Sequence, residues 1–412
     1  MSRNSFGKRI FAPGVVVSND TRETGLNSND ILLGGTGSGK TGGYVFNLLS
    51  HPYGSMVVSD TKGLLHKMFS KSLKAKGYKV YVLDFVNPRK SIGYNPLKCI
   101  RLNEFGEPNE ADIMKLASCI MPELDSDDPF WEKAATRYIA ILIGYVMEEY
   151  DEESRNMQNV IQLHYNMQSP EFRSSFTEWA SEHAYSFSAR KYLQEIQCMN
   201  AEKMWGSIME FANQALDMFD NREYGCIWGN EETLDIAKIG FEKSVVFLNS
   251  SDNDTSTETI CNIFNTQALQ TLMAAADSTE KGRLPIPCRI ILDDFAAASK
   301  IEHFDKLISV IRSRGISVSI IIQSLSQLNC MYTPDGAKTI LNNCAHVLYL
   351  SGRDMETIKY VADHLNQTVT TVLKLPRDKA VFIEEGAQAR VVQKLIPYKK
   401  QSLKATHEEC DI

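Results

Sequence analysis

One segment of the sequence has residue types and spacing that suit phosphate binding. Residues 34–41 read GGTGSGKT and follow the apolar run DILL. Glycines at this spacing let backbone N–H groups wrap a triphosphate, and a helix that starts there adds the positive end of its dipole. We predict that these residues bind ATP, with Lys40 on the β/γ oxygens and Thr41 on Mg²⁺. The predicted ligands are Gly34, Gly35, Thr36, Gly37, Ser38, Gly39, Lys40 and Thr41.

An acidic pair follows another apolar run. Residues 289–296 read RIILDDFA, so Asp293 and Asp294 come at the end of a predicted buried strand. Phosphoryl transfer needs a carboxylate on the metal side of the site, and this pair matches a Walker B motif. We predict that Asp293 orients Mg²⁺ through its water shell and that Asp294 polarises the attacking water. The alternative for Asp294 is to cap the following helix.

Three polar residues belong to the next helix and strand. The pattern predicts a helix over residues 304–315 and a strand over residues 317–323. Gln323, at the strand end, is a candidate sensor of the γ-phosphate or the lytic water, and its alternative is a structural hydrogen bond. Arg312 and Arg314 are candidate arginine fingers across a subunit interface, because a planar guanidinium suits phosphate oxygens. Their alternative is to pair with the dipole at a helix C-terminus.

A smaller cluster, SDTKG at residues 59–63, ends the strand that follows the phosphate loop. Asp60 and Lys62 are expected at the carboxyl edge of a parallel sheet, where open α/β folds bind ligands. The alternative for these two side chains is a local salt bridge.

The elements that carry these residues are short apolar runs rich in β-branched side chains. Runs that are apolar at nearly every position are typical of strands buried on both faces, and helical patterns separate most of them. The sequence therefore predicts an α/β fold with a mainly parallel sheet, ended by a hairpin of residues 380–386 and 389–397. The other predicted strands are residues 30–35, 55–60, 79–85, 244–250, 289–294, 317–323 and 346–352.

Charge separates the middle of the chain from its flanks. Between Arg101 and Asp220, nine basic residues stand against 22 acidic ones, which gives −13, whereas the rest of the chain carries +6. The overall charge of −7 argues against a nucleic-acid binder whose whole surface is basic. Such asymmetry is typical of a separately folded insert, although solvated helix faces would also produce it.

Helical patterns replace the strands in this middle region. Residues 110–121 and 201–221 are predicted helices, and a third begins with Asp127 or Asp128 as N-cap and Pro129 in its first turn. The insert either acts as a specificity domain or only fills space. The predicted domains are a lead-in (1–27), a nucleotide-binding domain in two parts (28–104 and 236–400), the all-alpha domain inserted in it (105–235) and a polar tail (401–412).

No segment directs the chain into a membrane or to secretion. The longest nearly apolar stretch, residues 138–147, is about half of the ~20 residues that a bilayer-spanning helix needs. The N-terminus lacks an apolar region followed by a small-residue cleavage site, so we expect the chain to stay in the cytosol. Nine cysteines without a CxxC spacing favour reduced thiols over a metal or redox box.

Taken together, the segments resemble the type IV coupling proteins, the TraG/TraD-type ATPases of conjugation and type IV secretion. The resemblance runs from about residue 30 to residue 370 and consists of ordered blocks. The blocks are GGTGSGKT, then SMVVSDTKG with GYKVYVLDF and SIGYNPL, then DPFWEKAA, and then ILDDFA, IRSRG, IIQSLSQL and NNCAHVLYLSGRDMET.

This resemblance implies a RecA-like P-loop ATPase that uses ATP and Mg²⁺ and works as a homohexamer around a DNA channel. It implies three kinds of partner: DNA, a relaxase or other relaxosome protein, and a membrane-embedded component of the secretion channel. Peripheral association with the cytoplasmic membrane would occur through that component. Members of the family usually carry two N-terminal membrane helices, which this sequence does not show.

Two further departures from the family pattern concern the predicted site. The family usually has Asp-Glu where this sequence has Asp293 and Asp294, and the shorter side chain of Asp294 is consistent with slow hydrolysis. Leu64 replaces a Glu that is common after the SDTKG-like block, which weakens a functional role for that segment.

Three functions fit these observations. The first is a DNA-transfer motor that couples a relaxase–DNA complex to a secretion channel. The second is a DNA translocase of the related FtsK/HerA type, and the third is a nucleotide-gated receptor that docks protein substrates without pumping DNA. The acidic insert favours the first or the third, because a negative surface repels phosphate but recruits a basic protein.

Overall fold

The computed structural model describes residues 7–121, 129–200, 202–230, 232–251, 257–295 and 301–395. Strands and helices alternate through most of this part of the chain. The strands are β1 (Lys8–Ala12), β2 (Val15–Ser18), β3 (Asp30–Gly34), β4 (Ser55–Ser59), β5 (Lys79–Asp84), β6 (Ser244–Asn249), β7 (Cys288–Leu292), β8 (Ile316–Ile322), β9 (His346–Ser351), β10 (Lys379–Glu384) and β11 (Arg390–Gln393).

The α-helices fall into two groups, one between the strands and one in the middle of the chain. Those between or beside the strands are α1 (Thr21–Thr24), α2 (Phe46–Ser50) and α3 (Leu64–Ala75). The middle group is α4 (Glu110–Ile120), α5 (Phe130–Glu149), α6 (Met157–Asn166), α7 (Pro170–Glu182), α8 (Phe187–Asn200), α9 (Glu202–Asp220) and α10 (Gly225–Trp228). After them come α11 (Glu258–Asp277), α12 (Phe304–Leu307), α13 (Leu325–Asn342), α14 (Met355–Leu365) and α15 (Val369–Leu373).

The described strands form one large sheet and one small one. The large sheet has nine strands in the order β11-β10-β9-β3-β8-β7-β4-β6-β5. From β9 to β6 the neighbouring strands run parallel. Each of these strands is buried at nearly every position, as expected for parallel strands that are covered on both faces. The mainly parallel sheet predicted from the sequence is confirmed. Each predicted strand begins and ends within two residues of an observed one, except the last, which was predicted to extend to residue 397 and ends at Gln393.

The register of three central strands sets the position of the polar residues. Leu33 on β3 is opposite Ile322 on β8, and Leu292 on β7 is opposite Ile320 on the same strand. Because parallel strands end at the same side, the segments that follow β3, β7 and β8 meet at one edge of the sheet.

An antiparallel hairpin, β1–β2, precedes this sheet within the segment expected to be only a lead-in. Lys8 pairs with Ser18, and the apolar side chains of Phe11, Val15 and Val17 are buried. The sequence signal was the pair of short apolar runs in KRIFAPGVVVS, separated by Pro-Gly. At the other end of the chain, the predicted hairpin is confirmed as β10–β11.

The helix predicted over residues 304–315 is wrong for most of its length. The α-helix there is only α12, and the chain continues to Arg314 in turns. Backbone N–H groups in these turns bond three residues back, as from Val310 to Leu307 and from Arg314 to Ile311. β-Branched residues such as Ile308 and Ile311 restrict side-chain rotamers in an α-helix, which favours this tighter path.

The chain divides into two compact units. The sheet unit consists of residues 1–82, 235–252 and 269–412, and the helical unit consists of residues 83–234 and 253–268. The boundaries of 105 and 235 proposed from the sequence for an all-alpha insert stay a prediction.

Helix α5 is the centre of the helical unit. Its segment from Ala134 to Met147 is almost wholly buried because α4, α6, α8 and α9 pack around it. Pro129 occupies the N-cap position, one residue before the helix rather than in its first turn, and Asp127 and Asp128 lie outside the described residues. Across the ranges that the structure describes, no helix combines the length and the apolar character needed to span a bilayer.

A buried histidine joins three helices of this unit. In the neutral tautomer that satisfies both neighbours, Nδ1 of His164 accepts from the Tyr138 hydroxyl (3.0 Å) and Nε2 donates to Oδ1 of Asn213 (2.7 Å). Burial lowers the pKa of His164 below its usual 6.5, against smaller opposing effects of Asn213 and Asp220.

We expect the helical unit to lose stability as the pH falls below 6.5. Below that pH the unfolded chain binds a proton at His164 that the folded chain resists, so acid favours unfolding. Thermal unfolding at about pH 7.5 and about pH 5.5 measures the difference. His164→Gln should reduce it, and His183→Gln, on the same unit, is the matched control. An undiminished difference in His164→Gln would contradict this assignment.

Candidate nucleotide site

The phosphate loop, residues 34–41, turns tightly between β3 and a π-helical turn, Thr41–Val45, that leads into α2. Gly39 has a φ of 94°, a conformation that side chains with a Cβ rarely adopt. A Cβ on Gly34 would lie 2.5 Å from Oγ of Ser38. Glycine is therefore needed at Gly39 for its backbone conformation and at Gly34 for the close approach of Ser38, and together they allow the tight turn of the loop.

Lys40 folds its side chain back over the loop. Its Nζ donates to the carbonyl oxygens of Gly34 (2.5 Å) and Gly35 (3.3 Å). Burial lowers the pKa of Lys40, and the nearby carboxylates of Asp294 and Asp293 oppose that shift. Ionised oxygens bond an ammonium group more strongly than carbonyl oxygens do, so phosphate would displace these two contacts.

Thr41 and Asp293 meet although they are far apart in the sequence. The Thr41 hydroxyl donates to Oδ2 of Asp293 over 2.6 Å. Burial raises the pKa of Asp293 to about 6; the bond from Thr41 opposes this, and the like charge of Asp294 adds to it. A hydroxyl and a carboxylate oxygen side by side are ligands of the kind that Mg²⁺ takes. The structure thus brings together the two predicted metal residues.

Asp294 adopts a backbone conformation that is uncommon for a residue with a side chain. Its φ is 50°, in the left-handed region that Asp tolerates better than most residues. The N–H of Asp294 donates to Oδ1 of Asp293 (3.1 Å), and the N–H of Phe295 donates to the Ile321 carbonyl of β8 (3.0 Å). The next described helix, α12, has His303 at its N-cap position, so Asp294 does not cap it.

The residues at this edge fit a nucleotide and a magnesium ion. Oγ of Ser38 is buried and makes no hydrogen bond within the described chain. Together with Lys40 and the Thr41–Asp293 pair, it gives this sheet edge a hydroxyl and an ammonium group for phosphate and two oxygen ligands for a metal ion. This donor set matches the needs of phosphate oxygens and of Mg²⁺.

Gln323 follows the last residue of β8, the strand between β3 and β7. Its side chain is exposed, and its backbone N–H donates to Oε1 of Gln327 (3.0 Å). The structure therefore places Gln323 at the same sheet edge as the phosphate loop and Asp293. Its role as a sensor stays a prediction.

Arg312 and Arg314 lie just before β8, at the opposite edge of the sheet. Nη2 of Arg312 donates to the carbonyl oxygen of Gly25 at the end of α1 (2.7 Å), and Nε of Arg314 lies 2.8 Å from Asp277 at the end of α11. Neither side chain reaches the nucleotide site of its own chain. Action in a neighbouring subunit stays a prediction, and the contacts with helix ends support the alternative.

Asp60 accepts hydrogen bonds at the N-terminus of α3. Its carboxylate accepts from the N–H groups of Leu65 (3.1 Å) and His66 (2.9 Å) in the first turn of α3, and Nδ1 of His66 lies 3.3 Å away. A carboxylate in this position stabilises the helix start. Lys62 is exposed in the turn between β4 and α3.

A buried polar network, which the sequence analysis did not find, lies at the other end of β3. Asp30 is fully buried, and its carboxylate lies 3.0 Å from Nε of Arg9, 2.9 Å from Nη1 of Arg289 and 3.2 Å from Nδ1 of His346. The Tyr44 hydroxyl donates to it as well. Burial alone would raise the pKa of Asp30, but the two arginines hold it well below its usual range.

Each central strand of the nucleotide site contributes to this network. Asp30 belongs to the strand before the phosphate loop, Arg289 to the strand before Asp293, and Ser319 to β8. The Ser319 hydroxyl contacts Nη1 of Arg289 (2.9 Å) and the hydroxyl of Tyr44 (3.0 Å). The sequence signal was a charged residue inside an otherwise apolar strand, which has to be paired when buried.

The model of the type IV secretory system conjugative DNA transfer family matches residues 7–372. The chain belongs to this family. The match extends over the phosphate loop, the acidic pair and the β1–β2 hairpin, and it confirms the resemblance to type IV coupling proteins. A sequence search of curated proteins found no match.

Solved structures of conjugative coupling proteins share the fold of this family member. The coupling protein TrwBdeltaN70, in complex with sulphate, has a TM-score of 0.71 at 13% identity over 97% of this chain and 91% of that one. TrwB with ADP and Mg²⁺ gives 0.70 at 14% identity over the same shares. VirB4 of Thermoanaerobacter pseudethanolicus gives 0.55 at 10% identity over 98% and 99%. The predicted RecA-like α/β fold with a helical domain is confirmed.

Proposed function

We propose that this chain is an ATP-driven coupling protein that hydrolyses ATP and moves DNA toward a secretion channel. The observation that carries the proposal is the convergence of Lys40, Thr41, Asp293 and Asp294 at one sheet edge in a member of the conjugative DNA transfer family. TrwB, which has the same fold, has been solved with ADP and Mg²⁺, and this supports the same ligands here.

In this mechanism the protein positions charges around an in-line displacement. Lys40, Ser38 and the loop N–H groups would hold the phosphates, Thr41 would hold a magnesium ion, and Asp293 would orient that ion through its water shell. When bound there, Mg²⁺ would supply positive charge beside the phosphate oxygens. Asp294 accepts a hydrogen bond from the attacking water and orients it, and Gln323 senses the γ-phosphate or this water without adding charge.

The proposal includes partners and an assembly. DNA is the transported substrate, and a relaxase or other relaxosome protein delivers it. A membrane-embedded component of the secretion channel recruits the chain to the cytoplasmic membrane, and the active form is a homohexamer. The −13 charge between Arg101 and Asp220 supports protein rather than DNA as the ligand of the helical unit. The family match favours this function over that of a free FtsK/HerA-type translocase.

ATP turnover should rise when DNA is added. It should also increase more than linearly with protein concentration, because an arginine finger from Arg312 or Arg314 acts on a neighbouring subunit. Initial rates of phosphate release across a protein dilution series, with and without single- or double-stranded DNA, measure both effects. Turnover that DNA does not change would favour the receptor without DNA pumping.

Arg314 has a matched control, because Asp277→Ala removes the same ion pair and leaves the arginine in place. A finger predicts that Arg314→Ala, but not Asp277→Ala, loses the steep dependence on concentration. Equal behaviour of the two variants, together with a monomer in sedimentation at the assay concentration, would show that Arg314 only stabilises the end of α11. Arg312→Ala tests the other candidate in the same way.

A further inference from the structure

The helical unit contains an open groove that has no part in the nucleotide site. Its volume is about 980 Å³. It is lined by the loop of residues 101–109, the start of α4, the end of α5 and the turn between α7 and α8. All of these segments belong to the helical unit.

The loop that lines the groove has a fixed shape. Leu102 and Pro108 pair across it, and the N–H of Asn103 donates to the carbonyl of Glu107 (2.9 Å). Oδ1 of Asn103 accepts from the N–H groups of Phe105 and Glu107, both at 2.9 Å. The tip carries Phe105, which is 79% exposed. A rigid backbone that holds a large apolar side chain in solvent is typical of a binding hot spot.

A second aromatic side chain lines the same groove from the turn between α7 and α8. Tyr185 is 80% exposed. The carboxylate of Glu148, at the end of α5, accepts from the N–H groups of Phe187 (2.7 Å) and Ser188 (3.2 Å), which fixes the start of α8. Both exposed rings therefore project from backbone that is already ordered, so little entropy is lost when a ligand contacts them.

The charge of the groove is negative. Its lining includes four glutamates and two arginines: Glu107, Glu110, Glu148, Glu149, Arg101 and Arg155. Arg101 is neutralised by Asp112 at 2.6 Å and Glu110 by Arg190 at 2.5 Å, whereas Glu149 makes no hydrogen bond or ion pair within the described residues. After Tyr150, the chain continues with three exposed acidic residues, Asp151, Glu152 and Glu153. A ligand of this groove has to bring positive charge and an apolar side chain.

We propose that this groove binds a basic peptide segment of a partner protein. An aromatic or aliphatic side chain of the segment contacts Phe105 and Tyr185, and its Lys or Arg side chains lie beside the glutamates. DNA fits poorly, because its phosphates would face Glu107 and Glu149. This inference depends on the proposed function in one respect: a partner protein delivers the DNA substrate to this chain.

The test uses the full chain and two short, fluorescein-labelled lysine-rich peptides, one with interspersed leucines and one with alanines in their place. Fluorescence anisotropy should show tighter binding of the leucine peptide. Phe105→Ala and Tyr185→Ala should each weaken it by about tenfold or more. Glu149→Lys should weaken binding of the leucine peptide and reduce the salt dependence of that binding. Phe241→Ala and Glu280→Lys, exposed positions of the sheet unit, are matched controls that should leave it unchanged.

Equal affinity for the two peptides, or wild-type affinity in Phe105→Ala, would overturn the proposal. So would a short DNA duplex that binds the chain with an affinity lowered by Phe105→Ala. ATP turnover measured in the same preparations separates this inference from the proposed function. If the wild-type chain hydrolyses ATP but does not bind the peptide, only the groove proposal is contradicted. If it binds the peptide but does not hydrolyse ATP, only the proposed ATPase function is contradicted.

Discussion

Lys40→Ala is expected to abolish ATP turnover, with a loss of about 10³-fold or more. The ammonium group of Lys40 lies over the loop, bonded to the carbonyls of Gly34 and Gly35, from where it can turn to phosphate oxygens. No other lysine or arginine within the loop itself replaces this charge. Steady-state phosphate release, after removal of contaminating ATPases, measures the loss.

The control for this variant is Lys67→Ala, which removes an exposed lysine of α3 and should turn over ATP normally. Thermal unfolding of both variants separates lost chemistry from lost folding. Full activity of Lys40→Ala would exclude the loop as the ATP site.

Asp294→Asn is expected to lower turnover by about 10²–10⁴ while ATP binding stays intact. Asn has nearly the same shape and tolerates the left-handed φ of 50° at this position, so the backbone of the turn should not change. If Asp294 polarises the attacking water, as we propose, the variant loses the negative charge that does so. Single-turnover rates and equilibrium binding of a labelled ATP analogue measure the two properties separately.

Asp294→Glu tests the same role in the other direction. The longer carboxylate restores the acidic pair usual in the family, and we expect turnover that is unchanged or faster. Glu adopts the left-handed conformation less readily than Asp, so the folded state of this variant should be less stable than that of the wild type. Equal turnover in the wild type and Asp294→Asn would instead assign Asp294 a purely structural role.

The strands of the large sheet, unlike those of the β1–β2 hairpin, were predictable from the sequence because a strand covered on both faces is mostly apolar. Runs such as DILLG and ISVSIII leave little choice of structure. The segment after Asp294 was not predictable in the same way. Ile308 and Ile311 are buried at helical spacing, yet the chain there forms successive turns, and apolar spacing alone does not distinguish the two.

Some residues of the candidate site could also be predicted from local sequence, and others could not. Lys40 and Thr41 belong to a continuous motif, and Asp293 ends a strand with a recognisable pattern, so local sequence identifies them. The network around Asp30 depends on contacts such as the one with Arg289, which is remote in the sequence. Nothing near either residue specifies its partner, because the topology of the sheet creates the pairing.

The buried position of Arg9 has a mechanical consequence. Arg9 belongs to β1, and its side chain reaches the carboxylate of Asp30, which also receives the hydroxyl of Tyr44 from the helical turn behind the phosphate loop. Tension along β1 would shear it from β2 and draw the guanidinium away from Asp30. The helical turn would then lose part of its support. We therefore expect the phosphate loop to bind ATP less tightly when force is applied to the N-terminal strand. ATP affinity measured at increasing force in an optical trap tests this expectation.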